Sequence, residues 1–169
     1  MLDHDIYMET ALEQAREALR QGQFPVGAVF VGAGKVVATG QRAHSCGRGG
    51  MVNEIDHAEI LALRSFLVED SGIESKDLVV YSTMEPCLMC YSTLILNGVR
   101  NFVYAYEDVM GGGTNLPLDQ LHPLYSKMRI TITPAILRAK SLKLFKQFFS
   151  NPDNRYWKDS LLANYTMNQ

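Results

Sequence analysis

Apolar side chains recur at helical spacing between residues 5 and 21, at Met8, Ala11, Leu12, Ala15, Ala18 and Leu19. Acidic residues open the stretch and Gly22 lies just past it, so the pattern predicts one amphipathic helix. Two valine-rich runs follow at 25–31 and 35–40, parted by Gly32-Ala33-Gly34, and read as a β-hairpin. Residues 41–56 carry Gly47, Gly49 and Gly50 with little apolar periodicity, which predicts a loop long enough to be functional. Helical periodicity returns over 57–68, with Asp56 standing where an N-cap would stand. A buried-strand pattern at 78–83 runs into Pro86, which suits the first turn of a helix over 87–96 that stops near Asn97-Gly98. Beyond it the chain predicts a strand at 101–106, a flexible turn at Gly111-Gly112-Gly113, a weak strand at 127–131 and a helix at 134–149. The tail after Asn151-Pro152 has room for one more short helix through Trp157 and Leu161. Strands alternate with helices and nothing repeats, so the pattern describes a single α/β domain over 1–169, with 151–169 able to act as a lid.

Composition narrows this picture a little. A chain of 169 residues that is 47% hydrophobic and 20% charged can bury one substantial core. No stretch approaches the roughly 18 to 20 apolar residues that a membrane span needs, and the acidic start, Met1-Leu2-Asp3-His4-Asp5, lacks a signal-like apolar run. The expectation is a soluble cytoplasmic protein that meets no membrane. Charge is informative only when divided along the chain. The 120–152 segment holds six cations (Lys127, Arg129, Arg138, Lys140, Lys143, Lys146) and no acid, leaving −8 on the remainder of a chain whose total is −2. Such a segment is either a nucleic-acid footprint or, more plainly, the solvated face of an amphipathic helix.

Three cysteines make an odd count, and two form Cys87-x-x-Cys90. In a reducing compartment that spacing points to metal or redox chemistry, with Cys46 left as a free loop thiol. Three residues apart at a helix start, both sulfurs project to one side, and the helix N-terminus favours thiolate. His57 opens another predicted helix and supplies a third ligand. Three protein ligands leave tetrahedral zinc one open position, the mark of a catalytic site. Two thiolates and a neutral imidazole make zinc a mild Lewis acid, so a water held there needs a base, and Glu59 is placed to serve. Each piece alone has a plain alternative: a structural or redox Cys-x-x-Cys, or a packed histidine. His44 and Cys46 are competing ligands in principle, but no helix orders them.

The pairing of His57-Ala58-Glu59 with Pro86-Cys87-Leu88-Met89-Cys90 matches the signature of zinc deaminases. Together with Phe24-Pro25-Val26-Gly27-Ala28-Val29 and Tyr81-Ser82-Thr83-Met84-Glu85 before the cysteines, it resembles the tRNA adenosine deaminases and related base deaminases of the cytidine deaminase-like superfamily over roughly the first three quarters of the chain. The resemblance implies a three-layer α/β/α sandwich around a five-stranded mixed sheet, one zinc per chain on His57, Cys87 and Cys90, and proton transfer by Glu59. It implies a homodimer whose partner helps close the pocket, substrate contacts near Ala58, Glu85 and Pro86, and an acidic residue near the pocket at Asp108.

Two departures bear on substrate. Arg42 stands where the family commonly has an asparagine that bonds the base or ribose, and arginine offers donors only. It either meets a phosphate or carboxylate, or points to solvent while another residue such as Asn53 moves in. The tail motif Tyr156-Trp157-Lys158-Asp159 resembles the lid of free-base cytosine deaminases, although Trp157 is equally readable as a packing anchor. Both departures weaken, without replacing, the leading expectation from the resemblance, which is deamination of adenosine to inosine in tRNA. A free base or nucleoside of the guanine or cytosine type is the alternative, and a non-catalytic zinc-stabilised binding module is third.

Overall fold

The computed structural model describes residues 3–45, 52–69 and 72–169. Cys46 and the loop glycines Gly47, Gly49 and Gly50 lie outside the described residues. Helix α1 (His4–Arg20) is capped by the Asp3 side chain, which accepts from the Asp5 N–H, and buries Met8, Ala11, Leu12, Ala15 and Ala18. Strands β1 (Gly27–Gly32) and β2 (Lys35–Gln41) pair antiparallel with an irregularity at Phe30/Val31. They lead through the 42–57 segment to α2 (Ala58–Val68), then β3 (Val79–Met84), α3 (Leu88–Leu96) and β4 (Asn101–Tyr106). A short helix, α4 (Pro123–Ser126), precedes the edge strand β5 (Thr131–Thr133), and α5 (Arg138–Phe149) and α6 (Leu161–Met167) complete the described chain.

The sheet order is β2-β1-β3-β4-β5, antiparallel from β2 to β3 and parallel from β3 to β5. This is the expected five-stranded mixed sheet. Alternation along the strands sorts side chains into two cores. Val29, Val31, Tyr81, Val103 and Ala105 pack with Met8, Leu12 and Ala15 of α1 and Leu144 of α5. Ala28, Phe30, Val80 and Phe102 face the other way, among Ala58, Ala62 and Phe66 of α2 and Tyr91 and Leu94 of α3. Both faces are covered, which gives the three-layer α/β/α arrangement.

Two glycines set how closely the helices approach the sheet. A Cβ on Gly27 would overlap the Ala11 carbonyl oxygen and lie 2.6 Å from the Ala15 nitrogen, so α1 rests directly on β1. A Cβ on Gly40 would overlap the Ala58 carbonyl oxygen and lie 2.7 Å from the Ala62 nitrogen, so α2 rests on β2 in the same way.

Several boundaries differ from the sequence pattern. The N-cap of α2 is His57, one residue later than Asp56, whose carboxylate instead binds His44, Asn53 and Arg64. Cys87 is the N-cap of α3, so Pro86 sits just before the helix. The last strand begins at Thr131 rather than 127, and α5 begins at Arg138 rather than 134. Pro134 is followed by left-handed backbone at Ala135 (φ 66°) and Leu137 (φ 53°), and the Ile136 N–H pairs with the Tyr104 carbonyl, so these residues turn beside β4 before the helix can start.

The cationic segment is partly committed to the fold. Arg138 donates to Glu107, which also accepts from the Tyr165 hydroxyl, and the guanidinium holds that carboxyl down to about 2. Lys140 pairs with Glu9 and Lys146 with the Gln169 carbonyl, while α5 buries Ser141, Leu144, Phe145 and Phe148. Arg138, Lys140, Lys143 and Lys146 belong to the polar face of amphipathic α5, whereas Lys127 and Arg129 lie before β5, and Lys127, Arg129 and Lys143 are exposed.

Gly40→Ala should cost about 1–3 kcal/mol of unfolding free energy by forcing α2 off β2. It should also weaken zinc binding at the start of that helix, which urea titration and metal analysis of the same preparation can test.

Candidate zinc and active site

His57 and Cys87 hold equivalent posts. Each is the N-cap of its helix, with extended backbone (φ −70°, ψ 152° and φ −64°, ψ 167°), and neither side chain makes a capping hydrogen bond. Their carbonyls still accept the first helical bonds, from the Leu61 and Tyr91 N–H groups. The side chains that a cap would ordinarily use on its own helix are thereby free to meet across the gap between α2 and α3. Cys90 joins from the first turn of α3, fully buried.

The three donor atoms lie within 4.8 Å of one another, and His57 Nδ1 is 3.5 Å from both sulfurs. Tetrahedral zinc with bonds of roughly 2.0–2.3 Å needs nitrogen-to-sulfur separations of roughly 3.6 Å, so the residues fit the ion. The Cys90 thiol donates to Cys87 and, with help from His57, pulls the Cys87 thiol down to about 4, while that thiolate and burial push Cys90 up. Burial alone would lower the His57 pKa, but its bond to Cys87 and the nearby Glu59 charge outweigh burial and raise it.

Glu59 is buried beneath this cluster. Its Oε1 accepts from the Ser82 hydroxyl at 3.2 Å and its Oε2 faces the Cys90 sulfur at 3.6 Å. Burial first, and the Cys87 thiolate second, raise its pKa. Above the cluster opens a cavity of about 280 Å³, at the small end for ligand sites. His57, Ala58, Glu59, Glu85, Cys87, Asp108, Arg42 and Trp157 line it.

Pro86 is buried behind the wall and is not among the lining residues; its carbonyl accepts from the Gly113 N–H. Glu85 lines the cavity with its carboxylate already occupied by the Thr114 hydroxyl and the Thr114 and Asp108 N–H groups. Asp108 Oδ1 accepts from the Met110 and Gly111 N–H groups, folding its own loop.

Arg42, the residue at the family's asparagine position, is only 2% exposed. Its guanidinium donates to the carbonyls of Ala43, Asn53 and Asp56, to Glu54 Oε2 at 3.0 Å and to the Tyr156 hydroxyl at 3.4 Å. Of the alternatives left open by the sequence, the carboxylate partner is the one observed. Asn53 does not move in: its amide donates to Asp56 and its Oδ1 accepts from Ile55.

The triple glycine is not a flexible turn. Cys87 and Gly112 form a β-bridge, the Leu88 N–H reaches the Gly111 carbonyl, and Gly113 binds Pro86. A Cβ on Gly112 would lie 2.6 Å from the Glu85 carboxylate and one on Gly113 2.7 Å from Leu88 Cα. These glycines clamp the start of α3. Thr114, Ser82 and Glu54 also belong to the site and were not found by sequence reasoning, because isolated Ser, Thr and Glu residues carry no spacing signal.

The model of the cytidine and deoxycytidylate deaminase zinc-binding region matches residues 1–106. The chain belongs to this family. It is a hydrolytic deaminase with zinc as its metal, and His57, Cys87 and Cys90 are the residues positioned to hold the ion. It is 27% identical over 149 residues to the tRNA-specific adenosine deaminase of Bacillus subtilis, covering 88% of this chain and 90% of that one. The tRNA-specific adenosine deaminase subunit tad2 of Schizosaccharomyces pombe is 27% identical over 154 residues, or 86% of this chain, but the match spans only 37% of that longer protein. A solved structure from studies of A-to-I editing by tRNA:A34 deaminases superposes with a TM-score of 0.65 and 25% identity, over 82% of this chain and 97% of that one. Guanine deaminase from Bacillus subtilis superposes with a TM-score of 0.54 and 28% identity, over 63% and 66%.

Metal analysis should find one zinc per chain in the wild type and less than a tenth of that in His57→Ala or Cys87→Ala. Removing zinc with a chelator should lower the thermal midpoint, because folding and ligation are linked.

Proposed function

We propose that this deaminase removes the exocyclic amino group of a nucleobase and that its substrate is adenosine in tRNA. The observation that carries the chemistry is Glu59, a buried carboxyl in the cavity floor beside the three ligand side chains. Zinc, when bound, supplies an activated water at the position its three protein ligands leave open. Ser82 holds Oε1 of Glu59 and so directs Oε2 toward the metal side. Burial raises the carboxyl's proton affinity, so Oε2 can carry the two protons of the water in turn, the first to a ring nitrogen and the second to the amino group that departs as ammonia. Ala58, Phe24, Val26 and Leu162 wall the cavity and exclude water from a flat ring. What supports tRNA is likeness over 90% of the Bacillus subtilis relative and 97% of the tRNA:A34 deaminase structure.

One observation favours a second reading, a free base or nucleoside of the guanine or cytosine type. Tyr156 and Trp157 of the C-terminal segment line the cavity, which supports a lid role for that segment, and half of the cations that would bind phosphates are already engaged by the fold. In this reading Arg42 shapes the wall, and Asp108 and Glu85 shape the loop that meets the base. In either reading the protein acts in the cytoplasm, where thiols stay reduced.

A homodimer belongs to the same proposal. Helices α2 and α3 are apolar nearly all round, yet Leu67, Leu88 and Leu96 are exposed, as are Val109 and the cavity-lining Met110. Helices of that kind are ordinarily covered on every side.

Glu59→Gln should lower turnover by roughly 10²–10⁴-fold while zinc content stays at one per chain. Ammonia release should be measured on an anticodon stem-loop and on guanine, cytosine and their nucleosides. Conversion of the stem-loop supports tRNA; turnover of small bases alone removes that reading, and no turnover by zinc-loaded protein removes both. Leu88→Asp with Leu96→Asp should convert a dimer to a monomer in light scattering; a wild type already monomeric at 100 µM, on the order of a weak complex's Kd, would refute the dimer.

A further inference from the structure

One carboxylate oxygen links the metal site to the C-terminal segment. Glu54 Oε2 lies 3.3 Å from His57 Nε2, 3.0 Å from Arg42 Nη2 and 2.9 Å from the Tyr156 hydroxyl. With Nε2 turned toward this oxygen, His57 presents Nδ1 to the two sulfurs. A ligand histidine whose second nitrogen donates to a carboxylate has both its tautomer and its ring orientation set. Arg42 is buried, and its bonds to the Ala43, Asn53 and Asp56 carbonyls hold the backbone on either side of Glu54. The same guanidinium lies 5.9 Å from the centre of the Tyr156 ring, which also packs edge-on against Trp157 at 5.6 Å. From the zinc ligand the contacts therefore run His57, Glu54, Tyr156, Trp157 without a gap.

We infer that Glu54 is a positioning residue that couples zinc binding at His57 to closure of the Tyr156–Trp157 segment over the cavity, with Arg42 holding Glu54 in place. Ordering of His57 by zinc holds Glu54, and Glu54 holds the Tyr156 hydroxyl. By reciprocity, a docked Tyr156 strengthens zinc binding. The inference rests on the zinc site and not on the identity of the substrate.

The test uses the full chain stripped of zinc and then titrated with zinc. Competition with a chromogenic chelator gives the zinc affinity, and acrylamide quenching of Trp157, the single tryptophan, reports the segment. Zinc should protect Trp157 from quenching in the wild type. Glu54→Ala should bind zinc roughly 10-fold more weakly and lose the Trp157 response, in keeping with the usual effect of removing such a partner. Tyr156→Phe should weaken zinc binding about 3-fold, and the double variant should bind no more weakly than Glu54→Ala alone, because both changes act through one oxygen. Additive losses, a wild-type Trp157 signal indifferent to zinc, or an undiminished response in Glu54→Ala would each overturn the inference. Tyr156→Phe keeps the ring packed on Phe24 and Trp157, so its zinc affinity and quenching decide the matter even if Glu54→Ala does not fold.

Discussion

Helix α2 lies on the bare backbone of β2 because Gly40 has no side chain, and nearly everything in the active site takes its position from that contact. The contact sets the depth of the helix that carries Glu59 and of the N-cap that carries His57. Across the gap, α3 is set with equal stringency by the 111–113 glycines, which leave no room for a Cβ between Leu88 and the Glu85 carboxylate. Two helix starts are thus placed by close backbone packing, which is stiffer than contact between side chains. A zinc site needs that stiffness, because three ligands must meet one ion to within a few tenths of an ångström.

Placing ligands at N-caps has a chemical consequence. A serine or aspartate there would turn back to bind its own helix. Histidine and cysteine do not, so their donor atoms remain available, and the positive end of each helix dipole faces the thiolates. Glu59 sits in the first turn of α2, where burial raises its pKa above the ordinary carboxylate value. The same short stretch of helix therefore supplies a residue placed to hold the metal, a cavity wall at Ala58 and the carboxyl proposed to carry protons.

The loop before α2 shows a second kind of organisation. Arg42 is by type and place a candidate to touch substrate, yet its two terminal nitrogens are taken up by three carbonyls, a carboxylate and a phenol, and Nε alone is buried without a partner among the described residues. A buried arginine with so many acceptors acts as a fastener for irregular backbone that has no sheet or helix partner of its own. What it fastens includes Glu54, and through Glu54 both His57 and Tyr156 of the C-terminal segment. The C-terminal segment is thereby connected to the chemistry by hydrogen bonds as well as by apolar packing.

The strand and helix sequence, the alternating core and the metal donor set were all legible in the chain, because each rests on local rules: period 3.6, period 2, and ligand spacing within one helical turn. His57, Glu59, Cys87 and Cys90 could be named for that reason. The start of α5 was misplaced because two left-handed residues after Pro134 turn beside β4, a pairing with Tyr104 that no window of sequence contains. The triple glycine was taken for flexibility because glycine reads the same whether it frees a backbone or makes room for one, and only the Glu85 and Leu88 atoms beside it distinguish the two. The destinations of Arg42, Glu54 and Tyr156 were likewise invisible: 114 residues separate Arg42 from Tyr156, and long-range hydrogen bonds leave no periodicity behind. Local chemistry thus named the metal and the residues placed to hold it, whereas the shape of the cavity above them was decided by contacts that exist only once the sheet has brought the ends of the chain together.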